Sequence, residues 1–310
     1  MGDHHVVEAH EAFRALLVAD GILQRTSVDG LYLRSATYEQ VIRGVEALAH
    51  RIGVSAEETY EPLLYLPPLL PRSAFERTDY LRSFPDLVGS VDVFRGEDHD
   101  HTELLMLADE GRDWTTKLEP AEVVLGSAAC HSLYEGMQGQ SVGSQGRRLE
   151  AVGFCFRHEP SVDPARQQSF RQHEFVYVGT PEGALEHRDL WAERALNAML
   201  SLGLPVERVV ANDPFFGRAG RILTANQRDT ELKYEIVCPI TSTEHPTAIV
   251  SSNLHLDHFG TPFNITTTNG ERAHTGCVGF GLERIALALL HVHGTNPTTW
   301  PDDVQAQLQQ

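Results

Sequence analysis

The sequence predicts an α+β fold. Three patterns carry that prediction. Apolar residues recur at helical spacing near both ends of the chain, in 5–20, 37–52 and 282–290. A charged stretch from Phe156 to Glu174, punctuated by Pro160, Asp163 and Pro164, reads as two strands joined by a loop. The chain has 310 residues, 41 % hydrophobic and 22 % charged, which suits one large soluble domain or two modest ones.

The first helix spans about His5 to Asp20, carries Val6, Val7, Phe13, Leu16 and Leu17, and ends at Gly21. A short hairpin broken by Gly30 follows. A second helix opens at Thr37, with Gln40 completing a capping box, and shows Val41, Ile42, Val45, Leu48 and Ile52 on one face before Gly53 stops it. The apolar segment Tyr60–Leu81 contains Pro67, Pro68 and Pro71, which cannot sit in the middle of a sheet, so it reads as an irregular connection. The acids and histidines of Arg95–Glu103 read as a solvated loop. Cys130 precedes a helical SLYEGMQG. Thr180 caps a helix with Pro181 at its first position, running to about Ser201. A strand follows Lys233, and the last helix is apolar nearly all round, so it is buried, with Gly294 and Pro297 ending it.

The first strand of the central hairpin is read as Phe156–Glu159, the second as starting near Arg166. Alternation then puts Arg157 and Glu159 on one face, and Arg166, Phe170 and Glu174 on one face of the second strand. Arginine grips phosphate in a planar fork, an aromatic face can stack a purine, and a carboxylate can accept from an amino group. Solvated charges on an edge hairpin would look the same. Arg284 begins the last helix, where a cation is unfavourable by about 0.3–1 kcal/mol unless an anion shares the site. A phosphate or a neighbouring acid such as Glu283 would resolve this.

Net charge is −18, which argues against extended nucleic-acid contact, since that relies on Lys and Arg. No apolar run approaches the roughly 20 residues of a membrane span, and the N-terminus lacks the pattern of a signal peptide, so a cytoplasmic protein is expected. The four cysteines are too dispersed for a disulfide framework.

FRHE followed by RQQSF resembles motif 2 of the class II aminoacyl-tRNA synthetases, and GFGLERIALALL from Gly279 to Leu290 resembles their motif 3. The resemblance implies an antiparallel sheet flanked by helices that binds ATP in a bent form. Tyr60–Leu81 would occupy the place of motif 1, which builds a homodimer interface. Further segments are similar to the seryl enzymes. EPAEVVL resembles a Thr-Ala-Glu segment, matching Glu122. Lys233 stands in a Lys-Tyr-Asp-x-Glu segment, and Ser251, Ser252 and Asn253 in a Ser-rich strand. That strand usually begins with a magnesium-holding Glu, and here the place holds Ala248. The implied ATP contacts are Arg157, Glu159, Arg166, Gln167, Phe170, Lys233, Ala248, Ser251 and Arg284, with Arg157 and Arg284 as the catalytic phosphate clamp. Those to the amino acid are Glu122, Cys130, Glu174, Ser252 and Asn253. Arg171 and Phe175 also fit Arg-x-x-x-Phe, but Phe175 would point away from Glu174.

Cys130, Glu174 and Cys277 match the zinc ligands of methanogen-type seryl-tRNA synthetases and of their stand-alone homologues, the amino acid:[carrier protein] ligases. The latter resemblance implies one catalytic domain over 1–310, with 1–55 packed on it and no tRNA-binding domain. It implies ATP with Mg2+ as substrate, a small amino acid (glycine or alanine) and, as acceptor, the phosphopantetheine thiol of a carrier protein. tRNA is not expected as a partner. Carrier proteins are usually acidic, so Arg218, Arg221 and Arg228 are read as the docking surface. The alternatives are a compact seryl-type enzyme charging tRNA and a non-catalytic synthetase paralogue.

Overall fold

The computed structural model describes residues 2–54, 58–212 and 231–309, so Arg218, Arg221 and Arg228 lie outside the described residues. The chain opens with α1 (Gly2–Ala19), the hairpin β1 (Leu23–Arg25) and β2 (Tyr32–Arg34), and α2 (Ala36–Val54). Ser35, rather than a residue near Thr37, starts α2: its Oγ accepts from the Tyr38 N–H at 3.1 Å. Gly53 lies inside α2 and does not stop it. Its role is close approach, since a Cβ there would fall 2.2 Å from the Phe175 ring.

Next come β3 (Leu64–Leu66), β4 (Leu69–Pro71), α3 (Arg72–Arg77), α4 (Tyr80–Ser83) and β5 (Ser90–Val93). The Pro-rich segment is therefore not wholly irregular. It holds two edge strands, with Pro71 ending the second. α5 (Asp98–Asp109) replaces most of the solvated loop expected at Arg95–Glu103. Glu97 and Asp100 form a reciprocal capping box there, and acids in a first turn suit the helix dipole. β6 (Glu119–Leu125) joins β4 and β5 in a small antiparallel sheet, and α6 (Cys130–Gly136) follows.

The centre of the fold is β7 (Arg147–Phe156) against β8 (Ser169–Gly179). β7 ends at Phe156, so Arg157, Glu159 and Arg166 sit on the connecting loop, not on strands as expected. Two prolines and an Asp turn explain the early exit. Asp163 Oδ1 accepts from the Ala165 N–H at 2.9 Å, and Arg157 N–H reaches Gln168 O at 2.9 Å to close the loop.

α7 (Pro181–Ser201) begins as expected, with Thr180 Oγ1 accepting from Gly183 N–H at 3.1 Å. β9 (Glu207–Val210), β10 (Lys233–Cys238), β11 (Thr247–Leu256), β12 (His274–Gly281), α8 (Leu282–His293) and α9 (Asp302–Gln307) complete the described elements. The main sheet runs β3-β7-β8-β12-β11-β10-β9. It is antiparallel except at its edge, where β3 runs parallel to β7.

The two faces of this sheet differ. On one, Phe175, Val250, Val278 and Phe280 pack in a core shared with α1, α2, α7 and α8. Phe175 stacks on Trp191 of α7 with ring centroids 4.1 Å apart. On the other, Cys277, Ala151 and Val176 lie in a second cluster with Cys130, Tyr134 and Phe259. Pairing register places Lys233, Glu235, Ser251, Asn253, Cys277, Gly279, Glu174, Gln172, Phe170 and Cys155 on this second face.

Candidate active site

Cys130, Glu174 and Cys277 meet on that second face. Each is at most 4 % exposed, and their ligand atoms lie within 4.8 Å of one another. α6 brings Cys130 down over the sheet from its first turn, while β8 and β12 present Glu174 and Cys277. Burial and the charge of Cys277 push the Glu174 carboxyl up to about 8. The hydrogen bond shared with Cys277, then burial, push the Cys130 thiol up, while the same bond holds Cys277 down. Glu174 Oε2 has no hydrogen-bond partner among the described residues. Two sulfurs and a carboxylate with one orphaned oxygen make three ligands, which fits a tetrahedral Zn2+ with one open position.

Gln172 and His255, which the sequence does not single out, and Asn253, which it does, support this cluster. The Gln172 side-chain oxygen accepts from Ala129 N–H at 3.2 Å and lies 3.1 Å from Cys155 Sγ, which pins the start of α6. Gln172 falls between Phe170 and Glu174 on the same alternation, which is the pattern that marks it. Asn253 Nδ2 donates to Cys277 Sγ at 3.6 Å, and His255 Nε2 lies 3.7 Å from the same sulfur.

A second group gathers where the β7–β8 loop meets α8. The Arg157 guanidinium lies over the Phe170 ring, 5.4 Å from its centroid, and its Nε donates to Ser127 O at 3.2 Å. Arg166 reaches Glu159 at 3.6 Å. Arg284 donates to the carbonyls of Ala165 at 2.9 Å and Ala248 at 3.0 Å, so Ala248 contributes backbone. Burial first, then Arg157 and Arg166, hold Arg284 below its usual value, with Glu159 and Asp163 opposing. Cations that converge in this way can receive a polyanion. Glu283 does not pair with Arg284; it takes Arg34 and Arg171, each at 2.9 Å.

The structure does not bring three of the expected contacts into the site. Ser252 faces the other side of the sheet, where its hydroxyl donates to Arg188 O of α7 at 2.8 Å. Gln167 is buried, its amide engaged by Arg34, Tyr38 and Pro164. The Glu122 side chain is 85 % exposed and lies 3.9 Å from Arg95. Lys233 and Ser251 do lie on the site face, with Lys233 3.0 Å from Glu235. Arg171 and Phe175 belong to the opposite face, Phe175 wholly buried.

This sheet, with its arginines above a buried ligand set, defines a catalytic domain of the class II aminoacyl-tRNA synthetase type. Methanopyrus kandleri seryl-tRNA synthetase, solved in complex with A. aeolicus tRNASec, superposes with a TM-score of 0.79 over 96 % of this chain and 60 % of that one, at 23 % identity. Pyrococcus horikoshii seryl-tRNA synthetase complexed with ATP gives 0.66 over 91 % and 58 %, at 16 % identity. No protein-family profile matches the chain. Amino acid--[acyl-carrier-protein] ligase 1 of Bradyrhizobium diazoefficiens is 39 % identical over 289 residues, 93 % of this chain and 87 % of that protein. Ligase 2 of the same organism is 39 % identical over 285 residues, 92 % and 84 % of the two chains. A type-2 serine--tRNA ligase of Methanopyrus kandleri is 28 % identical over 268 residues, and the match spans half of its length. The chain belongs to the amino acid--[acyl-carrier-protein] ligase family and is a ligase.

Proposed function

We propose that this ligase activates a small amino acid, glycine or alanine, with ATP and passes it to the phosphopantetheine thiol of an acyl carrier protein. The observation that carries this reading is the buried Cys130–Glu174–Cys277 set on the same sheet face as Phe170, beneath the arginines of the β7–β8 loop and α8. The names and 39 % identity of the Bradyrhizobium relatives supply the carrier protein.

Phe170 would stack the adenine and Glu159 accept from its amino group. Arg157 and Arg284 would hold the phosphates, with Arg166 at the far end of ATP, which would enter with Mg2+. Lys233, Ser251 and the Ala248 backbone line the same face. The amino-acid carboxylate attacks the α-phosphorus, forming the aminoacyl-adenylate, and pyrophosphate leaves. A carrier thiolate then attacks the carbonyl carbon, forming the thioester, and AMP leaves. These arginines act by positioning and by stabilising charge. Cys130, Glu174 and Cys277 would hold Zn2+, which would supply a Lewis-acid contact for the α-amine. Asn253 would face the substrate side chain. The stacked Tyr134 and Phe259, centroids 4.2 Å apart, and the His255 ring 4.9 Å from Phe259 crowd this end, which favours a small side chain. The enzyme is read as a homodimer, as its class implies, and as cytoplasmic from the signal-peptide reading of its sequence.

The test is loading of a carrier protein followed by intact mass. Holo-carrier should gain one glycyl or alanyl group, while apo-carrier, lacking the thiol, should gain none. Equal loading of tRNA under the same conditions would overturn the assignment of the acceptor.

A further inference from the structure

We propose that Arg34, supported by Tyr38, is a positioning residue for the nucleotide site: the N-terminal hairpin is a brace that sets the β7–β8 loop and α8 relative to each other. This rests on the ATP contacts proposed above.

Arg34 ends β2, far in sequence from either motif. Its guanidinium is bonded to the chain neighbour of each of three proposed ATP contacts. One nitrogen donates to Gln167 Oε1 at 3.0 Å, beside Arg166, and to Ser169 O at 2.7 Å, beside Phe170. The other lies 2.9 Å from Glu283 Oε1, beside Arg284. Tyr38, fully buried on α2, repeats the link: its hydroxyl donates to Glu283 O at 3.0 Å and accepts from Gln167 Nε2 at 3.3 Å. The hairpin turn adds backbone ties, with Gln168 N–H reaching Gly30 O at 2.9 Å and Gln168 Nε2 reaching Asp29 O at 2.8 Å.

The charges here balance. Glu283 is 1 % exposed and takes Arg34, the Arg171 guanidinium at 2.9 Å and the Arg171 N–H at 2.6 Å, while Glu39 pairs with Arg171 at 2.9 Å. A planar fork can hold a carbonyl, an amide oxygen and a carboxylate at once. An ammonium is a point charge and cannot span them. None of these groups reaches the ATP contacts' own side chains, so the brace acts on their placement.

The experiment compares wild type with Arg34→Gln, Arg34→Lys and Tyr38→Phe. It measures ATP dissociation by calorimetry, KM for ATP and for the amino acid in pyrophosphate exchange, and melting temperature. Arg34→Gln should raise KM for ATP about tenfold or more, within the roughly hundredfold that a 1 Å misplacement can cost. Arg34→Lys should not rescue it, Tyr38→Phe should show a smaller rise, and KM for the amino acid should hold. Should Arg34→Gln not fold, Tyr38→Phe carries the comparison. An active wild type whose folded variants keep their KM for ATP, or lose both KM values together, overturns the brace alone. A wild type that binds no ATP overturns the nucleotide-site reading and the brace with it.

Discussion

Glu174 is a carboxyl enclosed by Cys130 and Cys277, and burial, then the charge of Cys277, push it up to about 8. Glu174→Gln and Cys277→Ser should each reduce bound zinc from about one equivalent per chain to a small fraction, by metal analysis of purified protein. Full retention in both would remove the metal reading. Phe170→Ala should weaken ATP binding by the roughly 1–3 kcal/mol of a base–aromatic stack, about 5- to 150-fold in KM for ATP, with little change for the amino acid. These residues were legible only in part. Cys130 and Cys277 are 147 positions apart, and no spacing rule joins them; only the likeness of the flanking motifs does. Gln172 and His255 escaped because their roles come from pairing register, which composition does not show. Ser252 was misplaced by parity: it neighbours Ser251 and Asn253, so on a strand it faces the other way.

The helices were largely visible in their apolar spacing, and Thr180–Pro181 marked the start of α7 correctly. Loop boundaries were not. Pro160, Asp163 and Pro164 mark the loop but not its first residue; β7 stops at Phe156 because a strand ends where its pairing ends. Gly53 looked like a stop, yet α2 continues through it and lays it against Phe175. Gly53→Ala should therefore destabilise the fold by about 1–3 kcal/mol through overpacking, read as a lower urea midpoint at unchanged slope. A midpoint equal to wild type would mean that the ring moves aside without cost. α5 was missed because its helical signal lies in a capping box of acids, while Leu107 is its only buried residue.

Among the described residues, several histidines are held down by burial and give a pH signature; His131, at about 3, is one and His187 another. Burial holds His187 of α7 down to about 4, with its Nε2 3.1 Å from Phe175 O. The unfolded chain takes up this proton near pH 6.5, about where free histidine titrates, so its contribution to stability is complete above that pH. The contribution falls as pH drops toward 4, where the folded state protonates too. His187→Gln should flatten the decline of melting temperature between pH 6.5 and 4; an unchanged slope would assign that decline to other groups. Among the described residues no helix is long and apolar enough to cross a membrane.

The central claim is that one sheet face joins a nucleotide site to a metal-bound amino-acid site. Amino-acid-dependent ATP–pyrophosphate exchange, run over the full set of proteinogenic amino acids with and without a zinc chelator, tests both halves together. The account predicts exchange with one or two small amino acids, lost on chelation and restored by zinc. Zinc-loaded protein that exchanges with none of them would contradict it.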